Sequence, residues 1–163
     1  MSNEQLSVIG RPVFLQRRSE RTAIATVSYQ RSNSVVRKVR AWKCRDVPGL
    51  MSEFGAALQF FQGFGENWHA LQECLSYMDE WLPGDGYVLV VERAEELLAD
   101  EPGELLWFVA VMKDVARWWA SPVTDNERFS RPARPFKVVM EVSKDDSDFS
   151  RRMEAAKATM VDW

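Results

Sequence analysis

The sequence predicts an α/β fold: a small three-stranded parallel sheet flanked by helices, with additional β-strands N-terminal to it. Three observations predict it. Residues 87–91 (Tyr-Val-Leu-Val-Val) and 136–142 (Phe-Lys-Val-Val-Met-Glu-Val) are short and nearly all apolar, as strands covered on both faces are. Between them, residues 104–120 carry Leu105, Phe108, Val109, Met112, Val115 and Ala116 at helical spacing. A helix between two such strands makes them parallel neighbours, because parallel pairing needs a crossover that long.

The remaining elements follow in chain order. Residues 12–16 and 22–29 read as extended segments, with Ala23, Ala25, Val27 and Tyr29 alternating with more polar neighbours apart from Ile24. Ser32-Asn33-Ser34 is a turn signal, and residues 35–43 form a further strand. Residues 1–34 are expected to form a β-hairpin or an edge addition. Their arginines (Arg11, Arg17, Arg18, Arg21, Arg31) are read as solvated strand faces or edge charges that discourage sheet-to-sheet association. Helices are expected at 48–60 and at 67–80, so residues 35–144 run β–α–α–β–α–β. Residues 121–135, with three prolines, form a long loop. In the tail, 145–163, Asp145-Asp146-Ser147-Asp148 favours a helix start by capping and dipole. Phe149, Met153, Ala156 and Met160 follow at helical spacing, so a docked terminal helix is expected.

Composition bounds the function. A chain of 163 residues with 46% hydrophobic content and seven tryptophans builds one packed domain with extensions and is not disordered. No run is apolar for the ~18–20 residues a membrane helix needs. The opening Met1-Ser2-Asn3-Glu4-Gln5-Leu6 lacks a basic region followed by an apolar stretch. Two cysteines, Cys44 and Cys74, make no disulfide framework. A cytoplasmic location is expected. The net charge of -3 conceals an asymmetry: residues 1–45 carry +8, and residues 46–163 carry -11. An acidic body suits a basic partner, because opposite fields speed encounter and suppress wrong docking; it also serves simple solubility.

The most informative stretch is Gly65-Glu66-Asn67-Trp68-His69-Ala70-Leu71-Gln72-Glu73-Cys74-Leu75. A loop, Gly63-Phe64-Gly65, enters an amphipathic helix. Trp68, Leu71, Cys74, Leu75 and Met78 fall on one stripe, and His69, Glu73, Ser76 and Glu80 fall opposite. Cys74 on the apolar side is a small buried hydrophobe. Nothing in a core calls for a carboxylate at Glu73. Asn67 fits an N-cap, and Glu66 a solvated first-turn charge.

Gly65, Glu66, Asn67, Ala70, Leu71, Cys74 and Leu75, with glutamate at Glu73 where aspartate is usual, resemble the signature of the barstar family, intracellular inhibitors of guanyl-specific ribonucleases. The order of elements over residues 35–144 agrees. The resemblance implies three parallel strands flanked by helices. It implies that Glu73 is the principal acid entering a nuclease active site, and that Gly63, Phe64 and Gly65 form the binding loop. Asp114, on the later helix, aligns with a second family acid through the short match Val111-Met112-Lys113-Asp114. Glu80 would extend the acidic face. The chain departs from the pattern at His69, where a second aspartate is usual, and at Gln72, where barstar itself has a rim tryptophan. Losing an acid and an aromatic anchor points to a different cognate partner.

Each residue also has a plainer reading. Glu73 is otherwise a solvent-facing helix residue, Gly65 a tight connection, and His69 either a hydrogen-bond donor and pH sensor or merely solvated. The function expected is a non-enzymatic immunity protein or antitoxin that blocks the active site of a basic nuclease, a ribonuclease toxin, through carboxylates on the 67–80 helix, needing no cofactor, metal or direct nucleic-acid contact. The alternative is a barstar-like regulatory module with a non-nuclease partner. An enzyme fits less well: His69 and Glu73 stand at i, i+4, but His69 is the only histidine and no nucleophile or third metal ligand shows a motif.

Overall fold

The computed structural model describes residues 9–10, 13–18, 33–125, 130–142 and 147–162. Among these, nine elements follow in order: β1 (Phe14–Arg18), β2 (Ser34–Arg40), α1 (Val47–Ala57), α2 (Trp68–Ser76), β3 (Gly86–Glu92), α3 (Leu105–Ala120), β4 (Phe136–Val142), α4 (Ser147–Ala155) and β5 (Met160–Asp162). Short 3-10 turns at Ala41–Lys43, Met78–Glu80, Ala94–Glu96 and Pro102–Glu104 link them.

The sheet is parallel and flanked by helices, as expected, but it has five strands rather than three, in the order β2-β3-β4-β1-β5. The adjacent strands β2, β3 and β4, with β2 at one edge, are the three expected ones. β1 adds to the open edge of β4, with Phe14 opposite Val138 and Arg17 opposite Glu141. Its other edge is taken by β5, where Phe14 meets Met160. β1 is therefore an edge addition to the three-stranded unit, flanked by two parallel strands instead of a hairpin partner. The expected second extended segment, 22–29, lies outside the described residues, as do Arg11, Arg21 and Arg31.

Alternation along each strand divides the core in two. Phe14, Val39, Leu89, Val91, Val138 and Met140 face the helices, joining Leu50 and Phe54 of α1, Leu71 and Leu75 of α2, and Phe108 and Met112 of α3. Phe149 and Met153 of α4 complete this side. Leu15, Val88, Val90 and Val139 form a smaller cluster on the opposite face. Side chains on both faces of β3 and β4 are thus excluded from water, which is why these strands read as unbroken apolar runs.

Charged residues are built into the sheet as well. Arg17 is not a solvated edge charge: its Nε and Nη2 donate to Glu141 Oε2 at 3.1 and 2.9 Å. The two side chains are only 1% and 6% exposed. Lys137 is fully buried, and its Nζ donates to the carbonyl of Gly10 at 2.8 Å. At the other edge, Arg40 grips Glu53 of α1 through Nε to Oε1 at 2.8 Å and Nη2 to Oε2 at 2.7 Å. This fork holds the Glu53 carboxyl below its usual range.

The ends of α1 and α4 fall short of the sequence expectation. α1 stops at Ala57 because Gln59 takes a left-handed φ of 56°. The Phe60 N–H then bonds the Gly55 carbonyl (2.9 Å) and the Gln59 N–H that of Ala56 (3.4 Å), a Schellman closure. The tail helix α4 is docked as expected through Phe149 and Met153, but it ends at Ala155, and Met160 enters β5. Asp145 and Asp146 lie outside the described residues.

Candidate functional site

The site rests on two helices that run side by side in the same direction. At their starts, the Trp68 indole of α2 donates to Glu104 Oε2, just before α3, at 2.9 Å. At their ends, the Trp119 and Trp118 indoles of α3 donate to the carbonyls of Leu75 and Ser76 at 3.0 and 2.8 Å. These carbonyls belong to the last turn of α2, which has no intrahelical donors for them. Tryptophan side chains thus cap α2 from its neighbour.

Its other end is capped locally. Asn67, extended at φ -139°, accepts the Ala70 N–H through its side chain at 2.9 Å and donates back to the Gly65 carbonyl at 3.0 Å. Leu71, Cys74 and Leu75 are buried, and burial raises the Cys74 thiol above its ordinary value. Cys44 is buried too, its thiol pushed up to about 12 by the same loss of solvation. Both cysteines are free, and a protonated, buried thiol is a poor nucleophile. His69 and Glu73 point outward and are exposed, while Gln72 and Ser76 are half-buried.

A groove of about 650 Å³ opens between the outer faces of α2 and α3. His69, Gln72, Glu73 and Ser76 line it from α2, and Asp114, Arg117 and Trp118 from α3, with Tyr77 and Ser121 at its far end. Four of the sequence-predicted residues, Glu73, His69, Gln72 and Asp114, therefore share one surface although 41 positions separate the two carboxylates along the chain.

The other four lie elsewhere. Gly63, Phe64 and Gly65 form the loop before α2 and do not line the groove. Gly63 has φ 109°, which glycine alone adopts without strain. Phe64 is half-buried, edge-on to Phe60 with ring centroids 4.8 Å apart. The loop's outward aromatic is Phe61, 60% exposed. Glu80 is not on the α2 helix as expected: α2 ends at Ser76, and Glu80 follows in the Met78–Glu80 turn. Tyr77, at φ -118° and ψ 16°, breaks the periodicity that placed Glu80 on the outer face.

Sequence reading missed Tyr77, Arg117, Trp118 and Ser121. Arg117 is the most consequential, because its Nη1 donates to Asp114 Oδ1 at 2.8 Å. The predicted second acid already holds a cation of its own chain. The i, i+3 spacing of Asp114 and Arg117 on a helix is the signal that was available. Trp118 and Tyr77 place their rings 5.5 Å apart at the groove's end, a contact between elements that no local spacing encodes.

The groove carries two carboxylates on a backbone fixed at both ends, an arrangement that presents acceptors to a guanidinium or ammonium group. Among the described residues, no group of three or more histidine, cysteine or acidic side chains is placed to hold a metal ion. No helix among them is long and apolar enough to cross a membrane. No curated protein sequence matches the chain. A family model does: that of Barstar (barnase inhibitor) matches residues 35–141. This span covers β2 through β4 with both groove-lining helices, and the chain belongs to the barstar family.

Proposed function

We propose that this protein is a non-enzymatic inhibitor, an immunity protein or antitoxin, that blocks the active site of a basic ribonuclease with carboxylates of the α2–α3 groove. The observation that carries the reading is Glu73: an exposed carboxylate on the outer face of a short helix capped at both ends, in a family described by its nuclease inhibitor. A nuclease active site concentrates positive charge to receive phosphate. A carboxylate held where phosphate oxygens would sit satisfies the same arginines bidentately. Because α2 is ordered before binding, little further entropy is lost when it docks. Glu73 is the principal acid, Asp114 a second contact once Arg117 releases it, and His69 and Gln72 are neighbours that shape partner choice. Gly63, Phe64 and Gly65 shape the approach beside the helix, and Glu80 adds to the acidic field from the turn beyond.

Capture from the native cell lysate tests this. Wild type should retain a basic nuclease that the Glu73→Ala/Asp114→Ala variant loses. A nuclease held equally by both would move the interface off the groove. Retention of only non-nuclease proteins, with the toxin known to be expressed, would replace the inhibitor by a regulatory binding module.

A further inference from the structure

The first two turns of α3 are apolar all round. Residues 105–112 (Leu-Leu-Trp-Phe-Val-Ala-Val-Met) include no charged or amide side chain, a pattern that belongs to a helix covered on every side. The fold covers only one side. Leu105, Phe108, Val109 and Met112 enter the core. Leu106 and Trp107 stay 47% and 57% exposed, with Ala110 exposed beside them. Among the described residues, Trp68, Trp81, Trp118 and Trp119 each donate the indole N–H to an oxygen, and Trp42 lies under Arg93. Trp107 alone of the described tryptophans has neither kind of partner. Leu106, Trp107 and Ala110 lie outside the lining of the α2–α3 groove, and an outward apolar cluster of this kind marks an interaction surface.

The charges along this outward stripe say what covers it. Exposed Glu101 and half-buried Glu104 precede the helix. Leu106, Trp107 and Ala110 follow, and helical spacing continues the stripe to Lys113, Asp114 and Arg117. The stripe is therefore acidic at its start, apolar in its middle and net basic at its end. A partner of uniform charge would be repelled at one end. A second copy laid antiparallel would be attracted at both, because the acidic start of each meets the basic end of the other. We infer that two copies pair in this way through the outward face of α3, about a two-fold axis at Ala110, with Trp107 as the anchor. The small side chain at the axis lets the two backbones approach. Arg117 of the second copy then reaches the Trp107 ring and Glu104 together, as a stacked cation and an ion pair. Its own-chain bond to Asp114 joins two exposed groups and is readily exchanged. One helix of 16 residues, about 24 Å long, makes a smaller interface than permanent dimers have, so pairing depends on concentration. Asp114 and Arg117 belong to both seam and groove, so the paired form covers the surface offered to a basic partner. That consequence rests on the function proposed above; the pairing itself does not.

Sedimentation equilibrium of the full chain tests the pairing. The mean mass should rise with concentration from 18.8 kDa toward twice that value. Trp107→Ala and Arg117→Glu should each raise the dissociation constant about tenfold or more. Both positions are exposed, so thermal melting should show both variants folded. Ala110→Cys tests the axis. Cys44 and Cys74 are buried, so mild oxidation should link two copies through position 110 far faster than through the exposed control Ser52→Cys on α1. A monomer at every concentration, a dimer that survives Trp107→Ala, or equal cross-linking at the two positions would overturn the inference. Capture from native cell lysate separates it from the inhibitor reading. Reduced Ala110→Cys should retain the nuclease, and its oxidised dimer far less; equal retention would overturn the covering of the groove. A dimer with no nuclease in either sample would leave the pairing standing and remove the inhibitor reading. Nuclease held by a chain that never dimerises would do the reverse.

Discussion

Arg17 and Glu141, 124 positions apart, sit opposite each other on β1 and β4 and form a buried ion pair through Nε and Nη2. The pair joins a strand outside the matched family span to the last strand within it. Removing one partner strands the other charge where water cannot reach it, which costs about 3–5 kcal/mol. Arg17→Ala should therefore lower the urea midpoint sharply. Arg17→Met combined with Glu141→Leu should recover most of the loss, because apolar side chains of similar volume remove both desolvation costs together. A double variant no more stable than Arg17→Ala would show that the pair fixes the β1 register rather than merely neutralising charge.

Lys137 gives the protein a pH dependence of known sign. Burial lowers its ammonium to about 8 from the ordinary 10.5. Below pH 8 the group is charged in both folded and unfolded chains, so the full cost of burying the charge is present. Between about 8 and 10.5 the unfolded chain holds more protons, and stability rises with pH. Above 10.5 both states are neutral and the cost is gone. Cys44 opposes this from about pH 9 upward, since its raised thiol keeps a proton that the unfolded chain releases. The clean observable is the difference between wild type and Lys137→Met. The variant should be more stable at pH 7, by about 1–3 kcal/mol, and the gap should close as pH approaches 10.5. A gap that does not narrow would mean the ammonium is not strained by burial.

What could be read from the sequence follows from how local each signal is. The β3, β4 and α3 elements carry their own patterns, because burial on both faces or on one stripe is written into consecutive residues. The Asn67 cap and the inner stripe of α2 were readable for the same reason. The placement of β1 between β4 and β5 was not, since parallel pairing depends on partners that no spacing rule links. The Glu73 and Asp114 carboxylates share one groove, a juxtaposition between two helices that no local spacing encodes. The helix end at Tyr77, which takes Glu80 off the face, and the Schellman turn at Gln59 lack the glycine that usually announces them.

The mounting of α2 can be tested without a partner. Asn67→Ala removes the side-chain acceptor of the Ala70 N–H and should cost about 1 kcal/mol. Trp119→Phe keeps the buried ring but removes the donor to the Leu75 carbonyl, leaving that group unsatisfied at a cost of about 1–3 kcal/mol. Amide exchange should show both losses concentrated in residues 68–76. Uniform loss of protection across the sheet would instead mean that α2 opens only with the whole domain.

With the captured nuclease in hand, the role of Glu73 follows from rates and salt. A carboxylate docked among arginines acts after encounter, so Glu73→Gln should mainly speed dissociation and weaken binding by about 2–5 kcal/mol. Glutamine preserves shape and leaves the helix intact, so the fold should be unaffected. Charges of the acidic body that never touch the partner act earlier, by steering. Neutralising Glu80, exposed in the turn beyond α2, should therefore slow association modestly, with an effect that fades as salt shortens the screening length to about 8 Å at 0.15 M. Stopped-flow association and dissociation rates across a salt series separate the two. If Glu73→Gln altered only the association rate, Glu73 would be one more steering charge, and the docked contact would have to be sought elsewhere in the groove.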